Sequence, residues 1–110
     1  VDGQWTRAKG FDTFCPIGPW IETEFKPGSQ KIITTLNGEV KQSEPLSSMN
    51  FKIPEIIQFV SSVMTLLPGD VILTGTPAGI GQIESGQSVE ITIEGIDTTL
   101  TLIPSLASKL

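Results

Sequence analysis

Apolar and polar positions change period several times along this chain, and each change marks an element. Lys31-Ile32-Ile33-Thr34-Thr35-Leu36 is rich in β-branched residues and ends at Asn37-Gly38. That pair is the strongest short hairpin signal, because both residues tolerate positive φ. Glu39-Val40-Lys41-Gln42 reads as the returning strand, polar enough for one solvated face. Residues 88–94 and 98–103 alternate with period 2 around Gly95-Ile96-Asp97, a second hairpin. Val89, Ile91 and Ile93 set against Glu90, Thr92 and Glu94 predict one buried face and one wet face.

A helical period takes over in the middle. Ile53, Ile56, Ile57, Val60, Val63, Met64 and Leu67 recur at helical spacing, so one main helix is expected over about residues 53–67. Pro54 opens it, at a position where a missing N–H costs nothing, and Pro68-Gly69 closes it. The helix reads as an amphipathic packing element without chemistry. Residues 43–50 form a polar connection ahead of it, and residues 21–25 read as a short strand closed by Lys26-Pro27-Gly28. Asp70-Val71-Ile72-Leu73-Thr74-Gly75-Thr76-Pro77-Ala78-Gly79-Ile80-Gly81 runs from an apolar strand into a glycine-rich loop. Several strands and one main helix make a mostly antiparallel α+β domain.

Residues 5–20 fit neither period. They hold both tryptophans, two of the five phenylalanines and the single cysteine. Aromatic bulk together with prolines and glycines predicts a packed, ordered loop, the kind of element that carries binding groups. Lys9 sits in its middle between Trp5 and the Phe11/Phe14 pair. By residue type it reads first as a snorkelling surface lysine, with a packed stem and an ammonium aimed at an anion as the alternative. Cys15 reads as a small buried packing residue, since no histidine is present to activate it.

Composition narrows the classes. With 110 residues the chain is one domain, and 38% hydrophobic with 17% charged residues reads as folded. A net charge of −5, with its seven cations scattered singly, argues against nucleic acid or an anionic membrane as partner. No apolar run approaches a membrane span, and a lone cysteine fits a reducing cytoplasm. The chain opens at Val1 and enters directly into what reads as a functional loop, as the C-terminal part of something longer would. It has no histidine and no tyrosine, so the base for any chemistry must be borrowed.

Two further candidates need weighing. Gly75, Gly79 and Gly81 follow an apolar run, but no Gly-Lys-Ser/Thr and no helix follows, so neither nucleotide fingerprint is met. The loop is either a tight turn needing positive φ or a nest of donors, with the Thr76 hydroxyl, for a carboxylate or oxyanion. Glu22-Thr23-Glu24 would put two carboxylates on one face of a strand, too few for a cation site and suited to a solvated face.

The segment Asp2-Gly3-Gln4-Trp5-Thr6-Arg7-Ala8-Lys9-Gly10-Phe11-Asp12-Thr13-Phe14-Cys15-Pro16-Ile17-Gly18-Pro19-Trp20 resembles the signature of the fumarylacetoacetate hydrolase family. It is most similar to the branch of acylpyruvate hydrolases and 2-hydroxyhepta-2,4-diene-1,7-dioate isomerases. Leu67-Pro68-Gly69-Asp70-Val71-Ile72-Leu73-Thr74-Gly75-Thr76-Pro77-Ala78-Gly79-Ile80-Gly81 resembles that family's second block, in the right order. The resemblance implies a mixed β-sandwich roll and a Mg²⁺ or Mn²⁺ centre held by a Glu-x-Glu pair and an aspartate. It also implies small 2-oxo or dicarboxylic acid substrates that are hydrolysed at a C–C bond, isomerised or decarboxylated, and a homodimer. By the same resemblance Lys9 is catalytic and meets the substrate, Gly75 and Thr76 bind substrate, and Thr13 lies beside the metal.

The carboxylate ligands implied by the family lie upstream of the signature, so they are expected outside this chain. Glu22 and Glu24 imitate the Glu-x-Glu spacing on the wrong side of the lysine, and Asp2 and Asp12 are signature residues rather than the metal aspartate. Residues 1–110 are therefore expected to be the C-terminal part of such a catalytic domain, inactive alone. The rival reading is a non-catalytic piece that binds a partner or only dimerises. A Glu-x-Glu and an aspartate before Val1 would decide for the enzyme.

Overall fold

The computed structural model describes residues 3–19, 21–96 and 99–104. Four antiparallel strands, β1 (Lys31–Leu36), β2 (Glu39–Pro45), β3 (Val89–Ile93) and β4 (Thr99–Leu102), form one sheet in the order β2-β1-β3-β4. Two α-helices, α1 (Trp5–Lys9) and α2 (Ile53–Val63), and a short 3-10 turn complete the regular structure of the described residues. The α+β class with mostly antiparallel strands and one main helix is what the chain adopts. The described residues make a single sheet, so the opposing layer of a sandwich is not among them.

The first hairpin forms at Asn37-Gly38 as the pair predicts, with φ of 50° and 80°. Asn37 does a second task there. Its Oδ1 accepts the Ser88 N–H at 2.8 Å while its own N–H donates to Ser88 O at 2.8 Å, which ties the turn to the start of β3. At the other end of the ladder, Lys31 N–H donates to Glu94 Oε2 at 2.8 Å and Glu94 N–H donates to Lys31 O at 3.0 Å. Both ends of the β1–β3 pair are thus fastened by contacts distant in sequence.

Between β1 and β2 the register slips once. Thr34 pairs with Gln42 but Thr35 pairs with Val40, so Lys41 is the extra residue of a β-bulge. Because side chains alternate, one inserted residue moves everything beyond it to the opposite face. Without the bulge Gln42 would share a face with Thr35. With it, Gln42 shares the face of Thr34, Ile32 and Leu36, together with Ile91, Ile93 and Val89 on β3 and Leu100 and Leu102 on β4. The opposite face carries Glu90, Thr92, Thr99 and Thr101, with the Thr92 and Thr99 hydroxyls 3.0 Å apart. The alternation read for β3 therefore holds, and Val89 is the one buried apolar residue among those described.

Helix α2 begins where Pro54 places it. Glu55 Oε2 accepts the Lys52 N–H at 2.7 Å, satisfying a backbone donor at the helix entrance. Its end differs from the expected residue 67: Met64 already has extended dihedrals of −143° and 153°. In the last turn the Ser61 and Ser62 hydroxyls bond back to Gln58 O and Phe59 O at 3.0 and 2.7 Å, a pattern that disfavours continuation of a helix. Pro68-Gly69 then forms a turn in which Asp70 N–H donates to Leu67 O at 3.1 Å and Gly69 has φ of 94°. Within the expected connection at residues 43–50, β2 continues to Pro45 and a short 3-10 turn, Leu46–Ser48, follows.

Other expectations are corrected. Residues 21–25 are not a strand: the Glu24 N–H donates to Glu22 Oε1 at 2.8 Å, a local turn that takes the donor a ladder would use. Residues 70–74 are not a strand either, because no neighbouring strand pairs with them among the described residues. The second hairpin pairs in register, Val89 with Leu102 through Thr92 with Thr99, while Asp97 and Thr98 of its turn lie outside the described residues.

The opening stretch departs most. It contains the five-residue helix α1, and its aromatic groups are not buried: Trp5 is 76% exposed and Phe11 and Phe14 are each 59% exposed. Cys15, expected in a buried place, is exposed too. The reason is geometric: apolar side chains are buried only where a second layer covers them. Trp20 lies outside the described residues.

Candidate functional site

The glycine-rich loop lies against the bulge of β2. Gly79, at φ 99°, approaches the Lys41 carbonyl so closely that an added Cβ would collide with it. One step along, Gln42 Nε2 donates to Thr76 Oγ1 at 2.9 Å and to the Pro77 carbonyl at 3.0 Å. Gly75 has φ of 92°, so the loop takes the positive-φ turn expected of it at Gly75 and Gly79, though not at Gly81. The bulge supplies both contacts: it turns the Lys41 carbonyl toward the loop and moves Gln42 onto the face where the loop sits.

Gly75 and Thr76 line a groove of about 390 Å³. Its walls are apolar for the most part, with Ile32 from β1, Leu46, Met49 and Phe51 from the connection, and Ile56 from α2. Glu44 of β2 adds a carboxylate. Lys52 Nζ, donating to Ser47 O at 2.6 Å and Met49 O at 3.1 Å, holds the connection that forms this wall. Few polar groups converging in a mostly apolar cleft is the usual make-up of a small-molecule site.

Lys9 and Thr13 line neither this groove nor the smaller one of about 200 Å³ beneath Gly18 and Pro19, which rests on Ile91, Ile93 and Leu100. Lys9 is exposed in the last turn of α1 and has no ion-pair partner among the described residues. Thr13 sits in a turn closed by the Phe14 N–H donating to Phe11 O at 3.0 Å, with the Phe11 and Phe14 rings 5.2 Å apart. Its φ is 70°, an unusual conformation for a β-branched residue, of the strained kind that clusters at functional sites. Both grooves rest on the apolar face of the same sheet, so the opening stretch and the glycine loop share one floor.

The carboxylates do not assemble. Among the described residues no group of three or more His, Cys, Asp or Glu side chains converges, and Glu22 is occupied with the Glu24 backbone. The donor set of the described residues therefore does not fit a metal centre by itself. Gln42 was not singled out from the sequence; its place in a polar strand segment gave no sign of the bulge that turns it inward.

Residues 1–103 match the sequence model of the fumarylacetoacetate (FAA) hydrolase C-terminal domain. The chain belongs to this family. A 2-hydroxyhepta-2,4-diene-1,7-dioate isomerase from Mycobacterium marinum is similar at 60% identity and a TM-score of 0.85, over 90% of this chain and 39% of that one. A maleylpyruvate hydrolase from a Sphingobium species, solved with manganese (II) ion and pyruvate, is similar at 35% identity and a TM-score of 0.79, over 84% of this chain and 36% of that one. The mitochondrial oxaloacetate decarboxylase of Dictyostelium discoideum is 42% identical over 87% of this chain and 45% of its own length. The chain thus spans between 36% and 45% of the length of these three relatives. Among the described residues no helix is long and apolar enough to cross a membrane.

Proposed function

We propose that this chain is the C-terminal part of a fumarylacetoacetate hydrolase-family enzyme acting on small 2-oxo acids, by hydrolysis of a C–C bond, isomerisation or decarboxylation. The observation that carries the reading is the Gly75–Thr76 turn, clamped onto the β2 bulge and facing a mostly apolar groove. Isomerase, hydrolase and decarboxylase relatives all act on small acids, which supports the substrate class.

Within this reading each residue has a task. An acid substrate that loses a proton or a carbon group beside its ketone develops enolate charge, and donors fixed in advance stabilise it. Lys9 offsets the negative charge of the substrate carboxylate or enolate oxygen. Thr76 and the Gly75 backbone bind the other end of the acid, and Thr13, held at its strained φ, lies at the edge of the metal site. Mg²⁺ or Mn²⁺ belongs to carboxylates that this chain does not contain, in keeping with the relative solved with manganese. The many exposed apolar residues, Ile21 at 82%, Ile80 at 81% and Trp5 at 76% among them, support a larger domain in which further chain covers them.

Turnover of fumarylpyruvate, acylpyruvates, the heptadienedioate and oxaloacetate by the full-length protein tests the reading. Activity on at least one, lost on chelation of the metal, is expected. No turnover of any of them by the folded, metal-loaded protein would count against it.

A further inference from the structure

We infer that Gln42 is a positioning residue that fixes the Thr76 hydroxyl as a hydrogen-bond donor toward an anionic oxygen of the substrate. The inference rests on the proposed reading that Thr76 meets the substrate. It concerns what sets the direction of that hydroxyl's proton.

The geometry decides the direction in two steps. The Pro77 carbonyl can only accept, so the Gln42 atom 3.0 Å from it must be the amide nitrogen. That same nitrogen lies 2.9 Å from Thr76 Oγ1. An amide nitrogen only donates, so its second hydrogen goes to the threonine oxygen, which is thereby an acceptor. The hydroxyl proton of Thr76 is then not spent on Gln42 and is free to be donated into the groove that Thr76 lines. A donor suits a carboxylate or enolate oxygen, which brings lone pairs and no proton.

The β2 bulge is what makes this arrangement available. Gln42 reaches the loop only because Lys41 is inserted opposite Thr34 and Thr35, which shifts Gln42 to the apolar face of the sheet. A glutamine on that face, bonded twice to one loop, has a built purpose that packing alone does not require.

The test uses the full-length protein with Gln42→Leu, Gln42→Glu, Thr76→Val and the Gln42→Leu/Thr76→Val pair. Pyruvate binding is measured by titration calorimetry in saturating Mg²⁺, and KM and kcat on whichever substrate the protein turns over. We expect Gln42→Leu and Thr76→Val each to weaken pyruvate binding and raise KM about tenfold, and the double variant to be no worse than either alone. Gln42→Glu adds a readout that a packing role would not move. As a carboxylate it accepts the Thr76 proton and turns the hydroxyl away from the groove, so binding is weak at pH 8. As a protonated acid it can donate again, so binding recovers as pH falls through the ordinary carboxyl range, about 4.3, a trend absent from the wild type and from Gln42→Leu. Weakening by Thr76→Val with unchanged binding in Gln42→Leu, or full additivity in the pair, would overturn the positioning role and leave the substrate reading intact. Unchanged binding and KM in folded Thr76→Val would overturn the placement of Thr76 in the site itself. Should Gln42→Leu fail to fold, a Gln42→Glu profile that stays flat from pH 8 to below about 4.3, the ordinary glutamate pKa, still decides against the inference.

Discussion

Gln42 Nε2 lies 2.9 Å from Thr76 Oγ1, joining a strand of the first hairpin to a loop 34 residues further along the chain. The contact is reinforced by the second donation to the Pro77 carbonyl and by the close approach of Gly79 to the neighbouring Lys41 carbonyl. Thr76, Pro77 and Gly79 of one loop are therefore held by two consecutive residues of β2.

Gly79→Ala should be the most damaging conservative change in this region. The added Cβ meets the Lys41 backbone, which cannot rotate away, and φ of 99° is already unfavourable for alanine. Together these should cost at least about 2 kcal/mol. Urea unfolding of the full-length protein measures it, and a loss below half of that would mean that the loop relaxes freely away from β2.

Asn37→Ala removes an Oδ1 acceptor for the Ser88 N–H and puts alanine at φ 50°. The expected loss is about 2 kcal/mol, from a hydrogen bond of about 1 and a left-handed strain of about 1. Asn37→Gly relieves the strain and should recover part of the loss, which the same unfolding experiment reads.

Lys9→Ala in the full-length protein is expected to lower kcat/KM at least about tenfold, a loss on the order of 1.4 kcal/mol of transition-state stabilisation. The side chain is exposed and has no ion-pair partner among the described residues, so stability should be nearly unchanged. An unaltered kcat/KM would remove Lys9 from the site.

At Thr13 stability and activity should part. Glycine accepts φ of 70° without strain, so Thr13→Gly should leave the unfolding midpoint unchanged or raise it, by up to about 1 kcal/mol of stability. If Thr13 borders the metal site, the same variant should lose activity. A drop in both would identify Thr13 as a packing residue.

The isolated 110-residue chain should show no micromolar Mg²⁺ binding by calorimetry, because its described carboxylates do not converge. The full-length protein should bind the ion. Micromolar binding by the chain alone would mean that a ligand set assembles within these residues after all.

Much of the architecture was legible in the residue pattern because its causes are local. Asn37-Gly38 can turn with positive φ, Pro54 can start a helix, and Val89, Ile91 and Ile93 alternate with polar partners; each needs only its own neighbours. Where neighbours were insufficient, the reading failed. Residues 70–74 have the composition of a strand, but a strand exists only if another lies beside it. Trp5, Phe11 and Phe14 have the composition of a core, but a core requires a covering layer. Helix α2 ends at Val63, where the Ser61 and Ser62 hydroxyls bond to its last-turn carbonyls and Met64 is already extended.

By itself the sequence determined the α+β class, both hairpins and the main helix, because period and turn chemistry act over a few residues. The two blocks holding Lys9, Thr13, Gly75 and Thr76 likewise mark the family. Only the tertiary structure decided that those blocks lie over one sheet face while lining separate grooves. A single inserted residue at Lys41 reverses which face Gln42 occupies, and no local preference around Val40 announces that insertion. It results from the whole sheet settling its register, and it brings Gln42, Gly79 and Thr76 together at one loop.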